Sequence, residues 1–300
     1  MKKNMFESRI NTWIIIVVVG IICLYPLQKI IDNRSTDQFI TIKNEKTNGF
    51  SSYLINQPDT TFLMPTMLDE ISGLSLSHHF DQLVAVQDEK GLLFYISKTS
   101  GELVDQVKFG GGDDYEGVEL VDSHVYVVNS KGDFDIVNVY RPEVPKITMK
   151  TFLNSSDDIE GLGRLHDENS LLVACKAARR KSDKNRKIFR LDLDAMELDS
   201  VPFASLDNEA ISEALGIERV TPFSPSGVTV DPRSGEIYVV SSASRALIIL
   251  NRIGKLTHAV RLDPRVHRQP EGIAMDVDGR LYISNEARDV LAKLHIFYPK

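Results

Sequence analysis

The chain is short of the residues that carry most catalytic and metal signatures. Its 300 residues include two cysteines, seven histidines and one tryptophan. Cys23 lies in an apolar N-terminal run and Cys175 in "LLVACKA", which reads as a buried strand, so no disulfide is available within the body. An exported domain without disulfides depends on a substantial core of its own, and Cys175 reads as a small buried apolar side chain. There is no GxSxG elbow, no Walker loop and no zinc-spaced His/Cys set. With Trp13 as the single tryptophan, WD-type repeats are excluded. Positive charge is also scarce, with 35 Lys and Arg against 42 Asp and Glu, for a net −7. Lys2, Lys3, Arg9, Lys29 and Arg34 outnumber Glu7 and Asp32 near the N-terminus, so the remainder is more acidic still. An acidic body argues against nucleic acid as a partner.

Long apolar runs are equally few. "WIIIVVVGIICLYPL", residues 13–27, is the only one, and it falls short of the roughly 20 residues that cross a bilayer core. Thr12, Trp13 and Tyr25 suit the interfaces and ease that shortfall. A cleaved secretory signal has a similar apolar stretch, but "LYPLQKIIDNR" offers no small-residue cleavage site. The expected organisation is a cytoplasmic N-terminus (1–12), a single-pass transmembrane anchor (13–27), a tether (28–49) with a strand at "FITIK", and a body (50–300). The basic N-terminus places the body on the outer face, which in a Gram-negative cell is the periplasm.

What the body does contain is a repeat. "EISGLSLS" (Gly73), "YEGVELV" (Gly117), "IEGLGRL" (Gly161), "PSGVTVD" (Gly227) and "PEGIAMD" (Gly272) align on one glycine, at intervals of 44, 44, 66 and 45 residues. The long interval holds "SLDNEAISEALGIERV", an insertion of helical character. After each glycine come a short alternating strand, a turn, a strongly apolar strand such as "HVYVVN", and a third strand such as "LLFYIS". Four units continue to a fourth strand. A period near 45 residues with four strands per unit is that of a propeller blade. The fifth unit has only three strands before Lys300, and "DTTFLMP" ahead of the first glycine can supply the fourth and close the ring. The expected fold is all-β, a five-bladed β-propeller, with six small blades as the alternative.

The innermost strand of each blade lines the central channel, and the glycine motif begins that strand. The residue before the glycine therefore recurs around the mouth: Ser72, Glu116, Glu160, Ser226 and Glu271. Two positions earlier, on the same face of an extended backbone, stand Glu70, Asp114, Asp158, Ser224 and Gln269. Acids this close repel, and some must take up protons or bind a cation. An all-oxygen set without histidine or cysteine favours a hard ion, calcium before magnesium. The expected metal ligands are Glu116, Glu160 and Glu271, supported by Asp114, Asp158 and Glu70. The bland alternative is a solvated rim of strand-end acids.

These motifs, "GGGDDYEGVEL", "DDIEGLGRL", "SPSGVTVDP" and "QPEGIAMDVDGRLYISNE" together with the N-terminal run, resemble the SdiA-regulated (YjiK-like) family, distantly similar to NHL-repeat propellers. The resemblance runs from about residue 62 to the C-terminus. It implies a five-bladed propeller with a calcium site and carries no established activity. Ser72 and Ser226 lack a carboxylate, so five equal ligands are not expected.

One segment runs against the acidic trend. "CKAARRKSDKNRKIFR", residues 175–190, holds eight basic residues between the second and third strands of the third blade. It reads as a solvated hairpin loop or as a site for an acidic or phosphorylated partner. His78, His79 and His166 fall in turns with no evident ligand partners. Two functions are weighed: an interaction or scaffold module with a protein partner, stabilised by calcium, and a metal-dependent hydrolase of phosphoesters or lactones that uses the channel metal to polarise substrate.

Overall fold

The computed structural model describes residues 53–300 apart from 181, 182 and 289, together with the backbone of Ile40–Thr41. The run at 13–27, and with it the anchor and most of the tether, lies outside the described residues. Among those described, no helix is long and apolar enough to cross a membrane.

The body is all-β and five-bladed, and its strands follow the repeat. Strand β1 (Ile40–Thr41) falls within "FITIK", and β2 (Thr60–Leu63) within "DTTFLMP". Blade 1 comprises β3 (Ile71–Leu76), β4 (Gln82–Gln87), β5 (Leu92–Ser97) and β6 (Leu103–Lys108). Blade 2 comprises β7 (Tyr115–Val121), β8 (His124–Asn129), β9 (Phe134–Asn138) and β10 (Ile147–Met149). In blade 3, β11 (Ile159–Leu165), β12 (Ser170–Cys175) and β13 (Arg186–Asp192) are followed by two short strands, β14 (Glu197–Leu198) and β15 (Ala204–Leu206), both paired with β13. The insertion then forms helix α1 (Asn208–Ala214), whose N-cap Asp207 accepts from the N–H groups of Glu209 and Ala210. Blade 4 is β16 (Gly227–Val230), β17 (Ile237–Ser241), β18 (Ala246–Leu250) and β19 (Leu256–Arg261), with β1 added antiparallel along β19. Blade 5 is β20 (Pro270–Met275), β21 (Leu281–Asn285) and β22 (Lys293–Phe297). Its outer strand is β2, which closes the ring as the sequence predicts, with Thr61 opposite His295.

The second strand of each blade is apolar through its middle because both of its faces are buried. In β4, Leu83 and Ala85 face blade 5 while Val84 and Val86 face blade 2. In β8, Val125 and Val127 pack toward blade 1, and Tyr126 and Val128 toward blade 3. The core is thus divided into five clusters among the described residues, one between each pair of neighbouring blades. Each fully buried Val, Leu or Phe in them contributes roughly 1.5–3 kcal/mol relative to exposure.

The landmark glycines have a steric cause. A Cβ on Gly73 would lie 2.7 Å from the Val118 backbone nitrogen, and one on Gly117 would lie 3.0 Å from that of Leu162. On Gly161, whose φ is 144°, it would meet Gly227 at 3.0 Å. On Gly227 it would meet the Glu271 carbonyl at 2.3 Å, and on Gly272 the Ser72 carbonyl at 2.9 Å. Neighbouring innermost strands therefore touch backbone to backbone all the way round. The axial space they leave is about 10 Å³, too little for more than a single water. The channel is closed at this level, and its mouth is a well with a floor.

Candidate functional site

The glutamates are turned into the well by a break in strand regularity. Register shifts interrupt the pairing of the innermost strand between Ile71 and Leu74, Tyr115 and Gly117, Ile159 and Leu162, and Pro270 and Ile273. A bulge of this kind re-aims the side chain it carries. Blade 4 has none; β16 pairs in register from Gly227 onward. There Ser226 spends its hydroxyl on the neighbouring blade, donating to the Pro270 carbonyl at 2.6 Å. That bond accounts for a serine where three other blades carry glutamate.

Glu116, Glu160 and Glu271 are brought together, and each is mostly withdrawn from water. Burial raises the Glu116 carboxyl to about 10, with the charges of Glu160 and Asp114 adding to the effect. Burial and Glu160 raise Glu271 to about 8. Glu160 is raised to about 7 by burial, opposed by Lys176. The Lys176 ammonium donates to Glu160 Oε1 at 2.5 Å. Burial alone would lower this lysine, but Glu160, Glu271 and Asp158 outweigh it and hold it above the ordinary lysine value. Sequence reasoning placed Lys176 at the start of the basic hairpin. The structure makes it the cation of the acidic well.

The supporting acids occupy less uniform places. Asp158 sits at φ 51°, so the simple two-residue alternation assumed for an extended backbone does not hold there. Its carbonyl accepts the Lys176 N–H at 2.7 Å, and the Asp114 carbonyl accepts the Ser130 N–H at 2.8 Å. Both residues still lie within electrostatic reach of Glu160. Glu70 belongs to a second acidic group. It accepts from Gln87 Nε2 at 2.9 Å, and its charge helps raise Asp88 to about 6, behind burial, and contributes to raising Glu286. Glu286 in turn raises Glu271, which joins the two groups.

Residues that the glycine landmarks do not mark complete the mouth. Gln87 and Asn285 end the second strands of blades 1 and 5, and Asp88 follows Gln87. Asn285 is 2% exposed with neither amide atom hydrogen-bonded. Gln87 Oε1, Asp88 Oδ1, Asp69 Oδ1 and Glu271 Oε2 are also buried without a partner. The signal for Gln87, Asp88 and Asn285 is the register of each blade's second strand, whose last two residues and the one that follows read "VQD", "VNS", "ACK", "VSS" and "SNE".

Among the described residues, no three His, Cys, Asp or Glu side chains stand at separations that would hold a metal ion. Arg179 is directed away from the well, pairing with Asp157 at 2.5 Å. The three glycines at 110–112 carry the chain from β6 into β7, with Gly110 N–H donating to the Gly91 carbonyl at 3.2 Å.

A family model described as SdiA-regulated matches residues 59–289. No curated protein matches the chain. Solved structures similar to it include a nidogen/laminin complex (15% identity, 72% of each chain covered, TM-score 0.49). A luciferin-regenerating enzyme is similar at 10% identity, covering 77% of this chain and 91% of that one, with TM-score 0.49. A gluconolactonase of Xanthomonas campestris is similar at 14% identity, covering 75% and 72%, with TM-score 0.49. Identities this low give no residue-level correspondence for the site.

Proposed function

The chain belongs to the SdiA-regulated family, and from that premise we propose that its propeller is an extracytoplasmic binding module whose well takes calcium. The observation that supports this reading is the convergence of Glu116, Glu160 and Glu271 beside the unpaired buried oxygens of Glu271 and Asn285. The donor chemistry, all oxygen and anionic, suits a hard cation. The glutamates do not stand at metal-holding separations in this structure, so they would have to draw together around the ion. Bound calcium supplies the positive charge that lets the three glutamates ionise together. Lys176 is the internal competitor, because it holds Glu160 by a single flexible ammonium.

Calorimetric titration of the 300-residue chain at pH 8 is expected to show calcium binding below millimolar concentration, stronger than that of magnesium. Glu160→Gln is expected to weaken it at least tenfold. Lys176→Met removes a competing positive charge and is expected to tighten it by a similar factor. Absence of calcium binding at millimolar concentration would leave the acids as a solvated rim and end this reading.

The run Trp13–Leu27 is proposed to hold the body at the outer face of the cytoplasmic membrane, with the basic N-terminus inside. The chain is expected to remain in membranes through high-salt and carbonate washing. Recovery of a mature N-terminus beginning after residue 27 would overturn the anchor.

A second reading rests on one observation. Lys176 places an ammonium among the acids, where an anionic substrate of a hydrolase would need a cation. That reading expects calcium-dependent turnover of phosphoesters or lactones that is lost in Lys176→Met. A broad screen without turnover favours the binding module.

A further inference from the structure

Two features break the regularity of the repeat, the basic hairpin after β12 and the insertion before blade 4, and the structure brings them together. Between them lies a cleft of about 1130 Å³, walled on one side by the hairpin and on the other by β15 and α1. A second cleft of about 400 Å³ adjoins it and shares Arg180 and Lys187 in its lining. Neither is lined by the glutamates of the axial well.

The walls are pinned to one another. β15 pairs along the start of β13, with Arg186 opposite Leu206 and Lys187 opposite Ser205. Asn208, 3% exposed, donates from Nδ2 to the Lys184 carbonyl at 2.6 Å, and its Oδ1 accepts the Phe223 N–H at 2.8 Å. The helix is anchored in turn by Ile211 and Ala214 in the core between blades 3 and 4. The wall formed by β13, β15 and α1 is therefore fixed.

Its charge differs from that of the surrounding body. Arg180, Lys184, Arg186 and Lys187 line it together with Asp183, Asp207 and Glu209, of which Asp207 is engaged in capping α1. Lys187 pairs with Asp183 at 3.3 Å. Arg186 is held by backbone carbonyls, its Nε donating to that of Lys176 at 2.6 Å, and has no carboxylate partner among the described residues. Arg180 and Lys184 likewise form no ion pair among the described residues. Arg180 and Lys184, unpaired among the described residues, and the charge of the backbone-held Arg186 behind them suit a compact group with several anionic oxygens. A phosphomonoester, which carries about −1.5 to −2 charges at neutral pH, matches that demand better than a single carboxylate. The volume is of the size used for small ligands.

We propose that the cleft between the basic hairpin and α1 binds a small phosphorylated molecule, with Arg180 and Lys184 as its entry cations and Arg186 as a fixed positive charge.

The probe is inorganic pyrophosphate, titrated calorimetrically into the 300-residue chain in neutral detergent and calcium-stripped buffer, at low and at raised sodium chloride. Saturable binding that weakens with salt is expected. Arg180→Glu combined with Lys184→Glu is expected to reduce affinity at least tenfold and to remove most of the salt dependence. Both side chains are exposed, so the melting temperature should hold; Arg180→Gln provides a milder variant with a smaller loss in the same direction. Chain in nanodiscs containing phosphatidic acid, compared with phosphatidylcholine alone, separates the sources of the phosphate. Loss of pyrophosphate binding in the former assigns the site to a lipid headgroup, and equal binding assigns it to a soluble phosphoester. No heat at millimolar pyrophosphate, unchanged affinity in the double variant, or equal affinity for citrate would overturn the proposal. Because calcium is stripped throughout, failure here leaves the reading of the axial well untouched, and the converse also holds.

Discussion

Gly227→Ala is expected to destabilise the propeller by about 3 kcal/mol or more, the upper part of the range for forcing an extra methyl into a packed interior. The added Cβ would lie 2.3 Å from the Glu271 carbonyl oxygen, and the Ile273 and Val240 side chains close the other directions at 3.1 and 3.2 Å. The obstacle is backbone from the next blade, so relief requires blades 4 and 5 to separate. Gly111→Ala is the matched control, because nothing stands within 4 Å of the added atom; it should stay within about 0.5 kcal/mol of the parent chain. Urea denaturation of the two variants makes the comparison. Equal midpoints would mean that the ring of glycines is not a steric requirement. Since Gly227 presses on Glu271, the same substitution should also disturb the axial well.

The second large effect is a dependence on pH that runs opposite to that of most acidic proteins. Burial and the charge of Glu160 raise Glu271 to about 8, and burial raises the interacting pair Glu116 and Glu160 as well, from 4.5 for an unperturbed glutamate. Above pH 4.5 the unfolded chain releases these protons more readily than the folded one, so the folded state binds more protons. Stability must then fall as pH rises. The loss begins near pH 4.5 and continues through the folded-state values, and for three such groups it amounts to at least a few kcal/mol by pH 8. In chelator, the glutamates should make the melting temperature decline toward pH 8. Up to about pH 6.5, His267, lowered to about 4 by burial, and the likewise lowered His258 and His295 act in the opposite direction, so the decline is clearest between about pH 6.5 and 8. Glu271→Gln should flatten that decline by removing one of the titrating groups. Calcium should reduce or reverse it, because the ion competes with the protons. A melting temperature that rises from pH 6.5 to 8 in chelator would mean that these carboxyls are ionised in the fold at neutral pH. Superimposed curves with and without calcium would reject the cation reading alone.

The blades were legible because one steric demand repeats. Wherever innermost strands meet, only glycine fits, and Gly73, Gly117, Gly161, Gly227 and Gly272 record this at blade-length intervals. The closing strand β2 was legible for a related reason: three strands after the last glycine leave one edge unpaired. The extra pairing of β15 with β13 was not, since "ASL" is too short to carry an alternation. At the site, Glu116, Glu160 and Glu271 could be found because they precede the landmark. Lys176, Gln87 and Asn285 mark the end of the second strand, which carries no invariant residue to align on. The bulges also lay beyond a pattern argument. Pairing partners create them, and the positive φ of Asp158 was equally invisible, though it is what sets that residue apart from Glu70 and Asp114 where spacing alone suggests one ring.

The way β2 completes blade 5 fixes an order of events during biogenesis. Thr61 and His295, side by side in the finished sheet, are separated by 234 positions in the chain. A segment emerging vectorially presents β2 long before its partner β22 exists, and the first four blades must wait with an unsealed gap. Pairings of this length make the final step slow, and they leave strand edges open to other chains meanwhile. An interval of exposure to aggregation and proteolysis thus precedes the arrival of its last strand. Mutations in β22 should therefore reduce yield in the cell more than their effect on the finished protein's stability would suggest.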